Sequence, residues 1–156
     1  MRESKPFKTW HLILIILVIV ISFGYKIYGS LWTKATIKIG GRETRVLVAD
    51  TYHHRLKGWS GRKDMGKFGG MLFVFPDRGQ HNMVMRDMHF SLDIVWLDGM
   101  KIVDIARSLP PEPGIAEGQL TIYRARTVST LVLELPAGFK DQTDLKIGDK
   151  VEIIYK

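Results

Sequence analysis

The chain contains no cysteine among its 156 residues. That single absence excludes disulfides, thiolate nucleophiles and cysteine-ligated zinc. It is compatible with an oxidising compartment without requiring one. Also missing are a Gly-x-Ser-x-Gly elbow, a phosphate-binding loop and a dinucleotide fingerprint. The glycine-rich stretch from Gly66 to Gly70 leads into a strand-like run rather than a helix, so it offers no phosphate cradle. No stripe of lysine and arginine interleaves with aromatics, which argues against a nucleic-acid partner. There is no internal repeat.

What the chain does have is one long apolar run near its start. Leu12 to Phe23 is twelve residues in which Ser22 alone is polar. Trp10 precedes the run, and Trp32 follows a softer stretch. A helix joining the two indoles would be about 33 Å long, against a hydrocarbon core of roughly 30 Å. An indole then sits at each water boundary, and Lys26 lies near enough to one end to snorkel. The helix has no polar stripe, as a surface helix of so small a protein would need. Arg2, Lys5 and Lys8 flank the run on its N-terminal side, against the single acid Glu3. The positive flank places the N-terminus in the cytoplasm and the rest of the chain outside, at the cell surface or in the periplasm. A cleaved signal peptide is the alternative, with Ser22-Phe23-Gly24 as a small-x-small site. Cleavage there would leave Tyr25, Ile27, Tyr28, Leu31 and Trp32 as an exposed apolar tail, which favours an uncleaved anchor. Residues 1–34 supply +4 of the net charge of +7. The basic character therefore suits anionic lipid at the membrane flank better than nucleic acid.

The expected organisation is a basic cytoplasmic flank at 1–9, a transmembrane anchor at 10–32 and one extracytoplasmic domain at 33–156. Short apolar runs broken by Gly, Pro and Asp-Gly predict an all-β domain with one or two short helices, a small β-sandwich or barrel of about eight strands. Gly40-Gly41 predicts a hairpin between 35–39 and 44–49. Thr51 predicts the cap of a short helix reaching Lys57 and closed by Gly58. Met71 to Phe75 reads as a strand stopped by Pro76. Residues 81–85, 91–97, 101–105, 127–135 and 150–155 read as further strands. The segment 109–119 reads as a long loop, and 137–143 as one or two helical turns.

Several phrases in fixed order carry a resemblance. They are Gly70-Met71-Leu72-Phe73-Val74-Phe75-Pro76, Met85-Arg86-Asp87-Met88, Leu92-Asp93-Ile94-Val95-Trp96-Leu97-Asp98, Leu133-Glu134-Leu135-Pro136-Ala137-Gly138 and Gly148-Asp149. Over about residues 36–153 the chain resembles domain-of-unknown-function family 192 (DUF192). The resemblance implies a small β-rich domain, often behind a signal or anchor, and implies no activity. The chain departs from many relatives at Gly58-Trp59-Ser60-Gly61-Arg62, where they read Gly-Leu-Met-x-Arg, and at Val84, where many carry Trp.

Acids set into apolar strands are the most informative residues for function. Asp93 lies between Leu92 and Ile94, and Glu134 between Leu133 and Leu135. A carboxylate so placed is paired or opens on a cleft, because burying it alone is costly. Arg62 and Arg86 are its natural partners. One reading is a pair of ion pairs pinning loops to the rim. Another is a polar pocket in which Arg62, Arg86, Asp93 and Glu134 meet an anionic or hydroxyl-rich ligand, with Met85 as an apolar wall. The sharpest version is a hydrolase using Asp93 and Glu134, which needs the carboxyls roughly 5–10 Å apart.

The row His81, Met83, Met85, Asp87, His89 would share one face of a continuous strand and suit copper, although Arg86-Asp87 is expected to interrupt it. His53-His54 cannot chelate from one helical face. The expectation taken forward is a binding module for a small polar ligand, an envelope glycan or an envelope protein, with no cofactor and no assigned metal. The hydrolase and the Met/His copper carrier stand as alternatives.

Overall fold

The computed structural model describes residues 9–155, with the side chains of 25–30 left aside. The basic flank at residues 1–8 and the Lys26 side chain therefore lie outside what is described. The chain divides into two units, Met1–Leu31 and Trp32–Lys156. The first holds helix α1 (Thr9–Ser30). Its described apolar side chains, from Leu12 to Phe23, are exposed all round the helix, with no buried face. Among the described residues no helix is long and apolar enough to cross a membrane. The anchor expected from sequence thus has no support from the structure itself.

The second unit is mainly β. Its strands are β1 (Thr33–Ile39), β2 (Arg42–Ala49), β3 (Met71–Gly79), β4 (Asn82–Met83), β5 (Leu92–Asp98), β6 (Lys101–Leu109), β7 (Tyr123–Arg124), β8 (Ser129–Pro136) and β9 (Glu152–Tyr155). Two short helices, α2 (Tyr52–Lys57) and α3 (Phe139–Thr143), complete it with a 3-10 turn at Glu117–Gln119. Seven strands form one mixed sheet in the order β6-β5-β8-β3-β2-β1-β9, and β4 pairs with β7 beside it.

The expected small β-sandwich or barrel is refined to one large mixed sheet whose edges are stitched together at one end. Ile102 N donates to Asp149 O, Gly148 N to Ile102 O and Val151 N to Met100 O, each at 2.9 Å. A bridge between Lys101 and Lys150 joins the same edges.

Local chemistry explains the elements that were legible from sequence. Gly40 and Gly41 adopt φ of +56° and +74°, the left-handed pair that a two-residue hairpin needs. Thr51 accepts a hydrogen bond from His54 N, and Gly58 closes α2 at φ +46°. Pro76 does not stop β3 as expected. The strand continues to Gly79, and the ladder to β8 shifts between Val74 and Gly79 because proline supplies no N–H there. The strand expected at 81–85 shrinks to Asn82–Met83, and Tyr123–Arg124 pairs with it unforeseen.

Two apolar clusters occupy the two faces of the sheet. The first joins Ile37, Val46, Val48, Leu72, Val95, Leu97, Leu131, Leu133 and Leu135, closed off by Phe139, Leu145 and Val151. The second joins Leu47, Met71, Phe73, Leu92, Ile94, Trp96 and Val132 with Trp59, Met83, Met85 and Met88 from the covering loops. β5 and β8 are consequently buried on both sides, which is why they read as near-continuous apolar runs rather than clean alternations.

A crossover lays the loops over the second face. β2 runs parallel to β3, Leu47 opposite Met71, so the chain between them must travel across the sheet. It does so through α2 and the loop 58–70. Gly70 ends this crossover where a Cβ would stand 2.4 Å from the Glu134 carbonyl oxygen. That oxygen belongs to the sheet backbone and has no room to retreat. We expect Gly70→Ala to destabilise the domain by at least about 1–3 kcal/mol, measured by denaturant unfolding.

Candidate functional site

The β5–β8 register decides which acids can act together. Asp93 stands opposite Leu135, and Ile94 opposite Glu134. Side chains of partnered residues share a face, and neighbours along a strand alternate. Glu134 therefore lies on the second face with Ile94, and Asp93 on the first with Leu135. The two carboxyls point to opposite sides of one sheet. The hydrolase reading that pairs them is overturned by this geometry.

Asp93 is a brace. It is 1% exposed and spans two segments that the surface pair Arg107–Asp141, at 3.2 Å, also ties. Its Oδ1 accepts from Ser108 N at 2.8 Å, and its Oδ2 from Lys140 N at 2.9 Å. Ser108 carries a positive φ of 51°, so its N–H has left the regular ladder and needs another acceptor. Neither Arg62 nor Arg86 pairs with Asp93.

Glu134 is different in kind. It is buried among apolar neighbours, with Met71 and Ile94 beside it on the flanking strands. Its Oε2 has no hydrogen-bond partner, and the same is true of the Trp59 indole nitrogen. Burial pushes the Glu134 carboxyl up to about 8, so it holds its proton at neutral pH.

Both residues line one cavity of about 270 Å³. Its apolar wall is Phe73, Phe75, Met83 and Met88 with the Trp59 ring. Its charged rim is Arg55 and Lys57 from α2 and Arg86 from the 82–88 loop, and Tyr52 adds a phenol.

The rim cations are held differently. Arg55 Nη1 donates to Asp50 O at 2.8 Å and to Val74 O at 3.0 Å, and its guanidinium lies 5.7 Å from the Phe75 ring centre. Backbone carbonyls orient it without cancelling its charge. Arg86 donates to Leu56 O at 3.1 Å and is clasped by both carboxyl oxygens of Glu117. Those hydrogen bonds hold the Glu117 carboxyl below its ordinary range and strap the 3-10 turn across the rim.

The remaining candidates fall elsewhere. Arg62 does not line the cavity. Its guanidinium lies between two indoles, 5.6 Å from the Trp32 ring and 5.4 Å from the Trp59 ring, so it supports the wall from behind. Met85 is fully buried core and not a pocket wall.

The copper row is broken. Only Asn82–Met83 is strand, and Asp87 turns back at φ 49°. His81 stacks on Phe75 with ring centres 3.6 Å apart. Among the described residues no group of three or more His, Asp or Glu is placed to hold a metal ion.

Of the five candidates, the structure brings Arg86 and Glu134 together and separates Arg62, Met85 and Asp93 from them. The sequence reading missed Arg55 and Lys57 as rim residues. Only the parallel crossover puts α2 against the face that carries Glu134, and no local signal in α2 announces it.

Comparison with known proteins agrees with this fold. Crystal structures of two bacterial proteins resemble the chain. One is a candidate transcription regulator from Sinorhizobium meliloti 1021, with TM-score 0.67, 24% identity and coverage of 79% of this chain and 94% of that one. The other is a protein of unknown function from Novosphingobium aromaticivorans DSM 12444, with TM-score 0.65, 25% identity and coverage of 77% of this chain and 83% of that one. No curated protein matches the chain. Residues 35–153, which form nearly all of the β unit, match the DUF192 family, described as "Uncharacterized ACR", and the chain belongs to that family.

Proposed function

We propose that this chain is a membrane-anchored, extracytoplasmic binding domain whose cavity takes a small polar ligand. One observation carries the binding reading. Glu134 and Trp59 are buried polar side chains, each with an atom lacking a hydrogen-bond partner, and both line the same cavity. Such groups are costly to leave unmade, by about 1–3 kcal/mol each, unless they meet a partner there. The carboxyl offers a donor and an acceptor, and the indole offers a donor. The aromatic wall gives a ligand an apolar face to lie on, and the cations favour negative charge on it.

Among the described residues Glu134 is the only acid lining the cavity, which favours binding over hydrolysis by a pair of carboxyls.

The anchor rests on the sequence: the apolar run from Leu12 to Phe23, with no polar stripe, is unfavourable in water and favourable in lipid. The basic residues before it favour an orientation with the β unit outside. An envelope glycan or protein is then within reach of the cavity.

Washing membranes at alkaline pH tests the anchor. The full chain is expected to stay with the membrane pellet, and a variant lacking residues 9–30 to appear in the soluble fraction. Full-length protein released by the wash would refute the anchor and leave the binding site standing. The Met83→Trp variant tests the site by filling the cavity. It is expected to abolish ligand-induced stabilisation while leaving the far-UV spectrum unchanged.

A further inference from the structure

We infer that the cavity selects a small organic anion with a flat apolar body, its negative group held by Glu134, Trp59 and the rim cations together. The inference deepens the binding reading above and rests on it.

Charge argues first. The titratable side chains lining the cavity are Tyr52, Arg55 and Lys57 from α2, Arg86 from the 82–88 loop, and Glu134 from β8. The strand residues flanking Glu134, Met71 and Ile94, carry no charge. With the Glu134 proton in place, the lining holds three cations and no anion. Glu117 offsets Arg86 from outside the lining. Arg55 is held by carbonyl oxygens only, and Lys57 stands beside it on the same short helix. A neutral ligand would leave that field unused.

Hydrogen bonding argues second. A protonated carboxyl and an indole N–H are both donors, and both are buried at this cavity without a partner. Two donors lining one cavity match an anionic oxygen pair. A donor group would meet only the acceptor oxygen of the carboxyl and would leave the indole N–H without a partner. Carboxylates and phosphate monoesters share this acceptor chemistry, and the cavity of about 270 Å³ has room for a body of at least one ring. Phe73, Phe75 and the Trp59 ring supply the apolar surface for that ring.

The arrangement makes binding depend on pH. Ionised Glu134 would place a negative charge against the ligand's own and lose its donor. Burial sets that loss at about pH 8, so affinity holds below it and falls up to tenfold per pH unit above it.

The test uses the full chain in detergent micelles, titrated with benzoate, phenyl phosphate, benzyl alcohol and inorganic phosphate. The readout is the indole N–H resonance of Trp59, assigned by its disappearance in Trp59→Phe. At pH 6.5, benzoate or phenyl phosphate is expected to shift that resonance at least tenfold more tightly than benzyl alcohol. Preference between those two anions identifies carboxylate or phosphate as the source. Raising the pH to 9.5 is expected to weaken the effect at least tenfold. Glu134→Gln, which keeps an amide donor at every pH, is expected to remove that pH dependence. Lys57→Gln is expected to weaken the anions alone.

Benzyl alcohol binding as tightly as the anions would overturn the inference and leave the binding reading intact. Inorganic phosphate binding as tightly as phenyl phosphate would overturn the apolar-body part. No shift with any of the four probes would overturn the inference. No shift in a further screen of neutral glycosides would then overturn the binding reading as well.

Discussion

Replacing Glu134 by glutamine is expected to flatten the pH dependence of stability between about pH 4.5 and 8 and to make the variant the more stable protein at the alkaline end. In the unfolded chain the carboxyl titrates at an ordinary 4.5, and in the folded chain burial raises it to about 8. Between those values the native state holds a proton that the unfolded state has released. Stability therefore falls as pH rises. The contribution is fully present below pH 4.5 and is lost by the time the pH passes about 8. At about 1.4 kcal/mol per pKa unit, the whole loss is at most about 4–5 kcal/mol. Water reaching the cavity would reduce it. Glutamine is nearly isosteric and never ionises, so its curve lacks that slope. Denaturant unfolding of both proteins at pH 5, 7 and 9 measures the difference directly. Parallel curves across this range would show that Glu134 is not buried in the folded protein, and the donor role assigned to it would go with that burial.

Asp93→Ala is expected to be the most damaging single substitution in the β unit. Each hydrogen bond that Asp93 accepts runs from a backbone N–H to a side-chain carboxylate, a type worth about 1.5–3 kcal/mol. Truncation removes both and leaves Ser108 N and Lys140 N without their acceptor. A loss of about 3–6 kcal/mol follows, which is comparable with the whole stability of many domains. Lys140 N belongs to the first turn of α3, and Phe139 beside it closes the first apolar cluster. The variant should thus expose that end of the sheet as well, seen as faster amide exchange through 137–145. Asp93→Asn keeps one accepting oxygen and is expected to lose roughly half as much. An Asp93→Ala protein that unfolds at the wild-type denaturant midpoint would refute the bracing role. Because Asp93 lies on the face away from the cavity, the surviving fraction of Asp93→Asn is expected to bind ligand as the wild type does.

These two acids look alike in sequence and differ in the fold, and the difference marks what each level of organisation contributes. Both sit between apolar neighbours, and alternation places each on the opposite face from those neighbours. That much is local and was legible. Local chemistry likewise dictated the Gly40-Gly41 turn and the Thr51 cap, because a turn or a cap is made by residues within a few positions of one another. The strands at 35–39, 44–49, 91–97 and 127–135 were legible because their apolar content is dense and their boundaries are marked by Gly, Pro or Asp-Gly.

Other features depended on contacts remote in sequence. The parallel pairing of β2 with β3, the stitching of 100–102 to 148–151 and the loops laid over the second face leave no signal within any short window. Without them β5 and β8 would each leave one face bare, and Met85 would be a wall rather than core. With them both faces of β5 and β8 are covered.

By itself, then, the amino-acid sequence determined a mainly β domain behind an apolar N-terminal helix, its family, its turns and caps, and the acids that matter. Tertiary structure alone decided what those acids do. Asp93 pairs across the sheet with Leu135 and not with Glu134, a displacement of one residue in register. Because side chains in a strand alternate with a period of two, that one step sends the carboxyls to opposite faces. One becomes a brace between β6 and α3, and the other a proton-holding group in a cationic cavity.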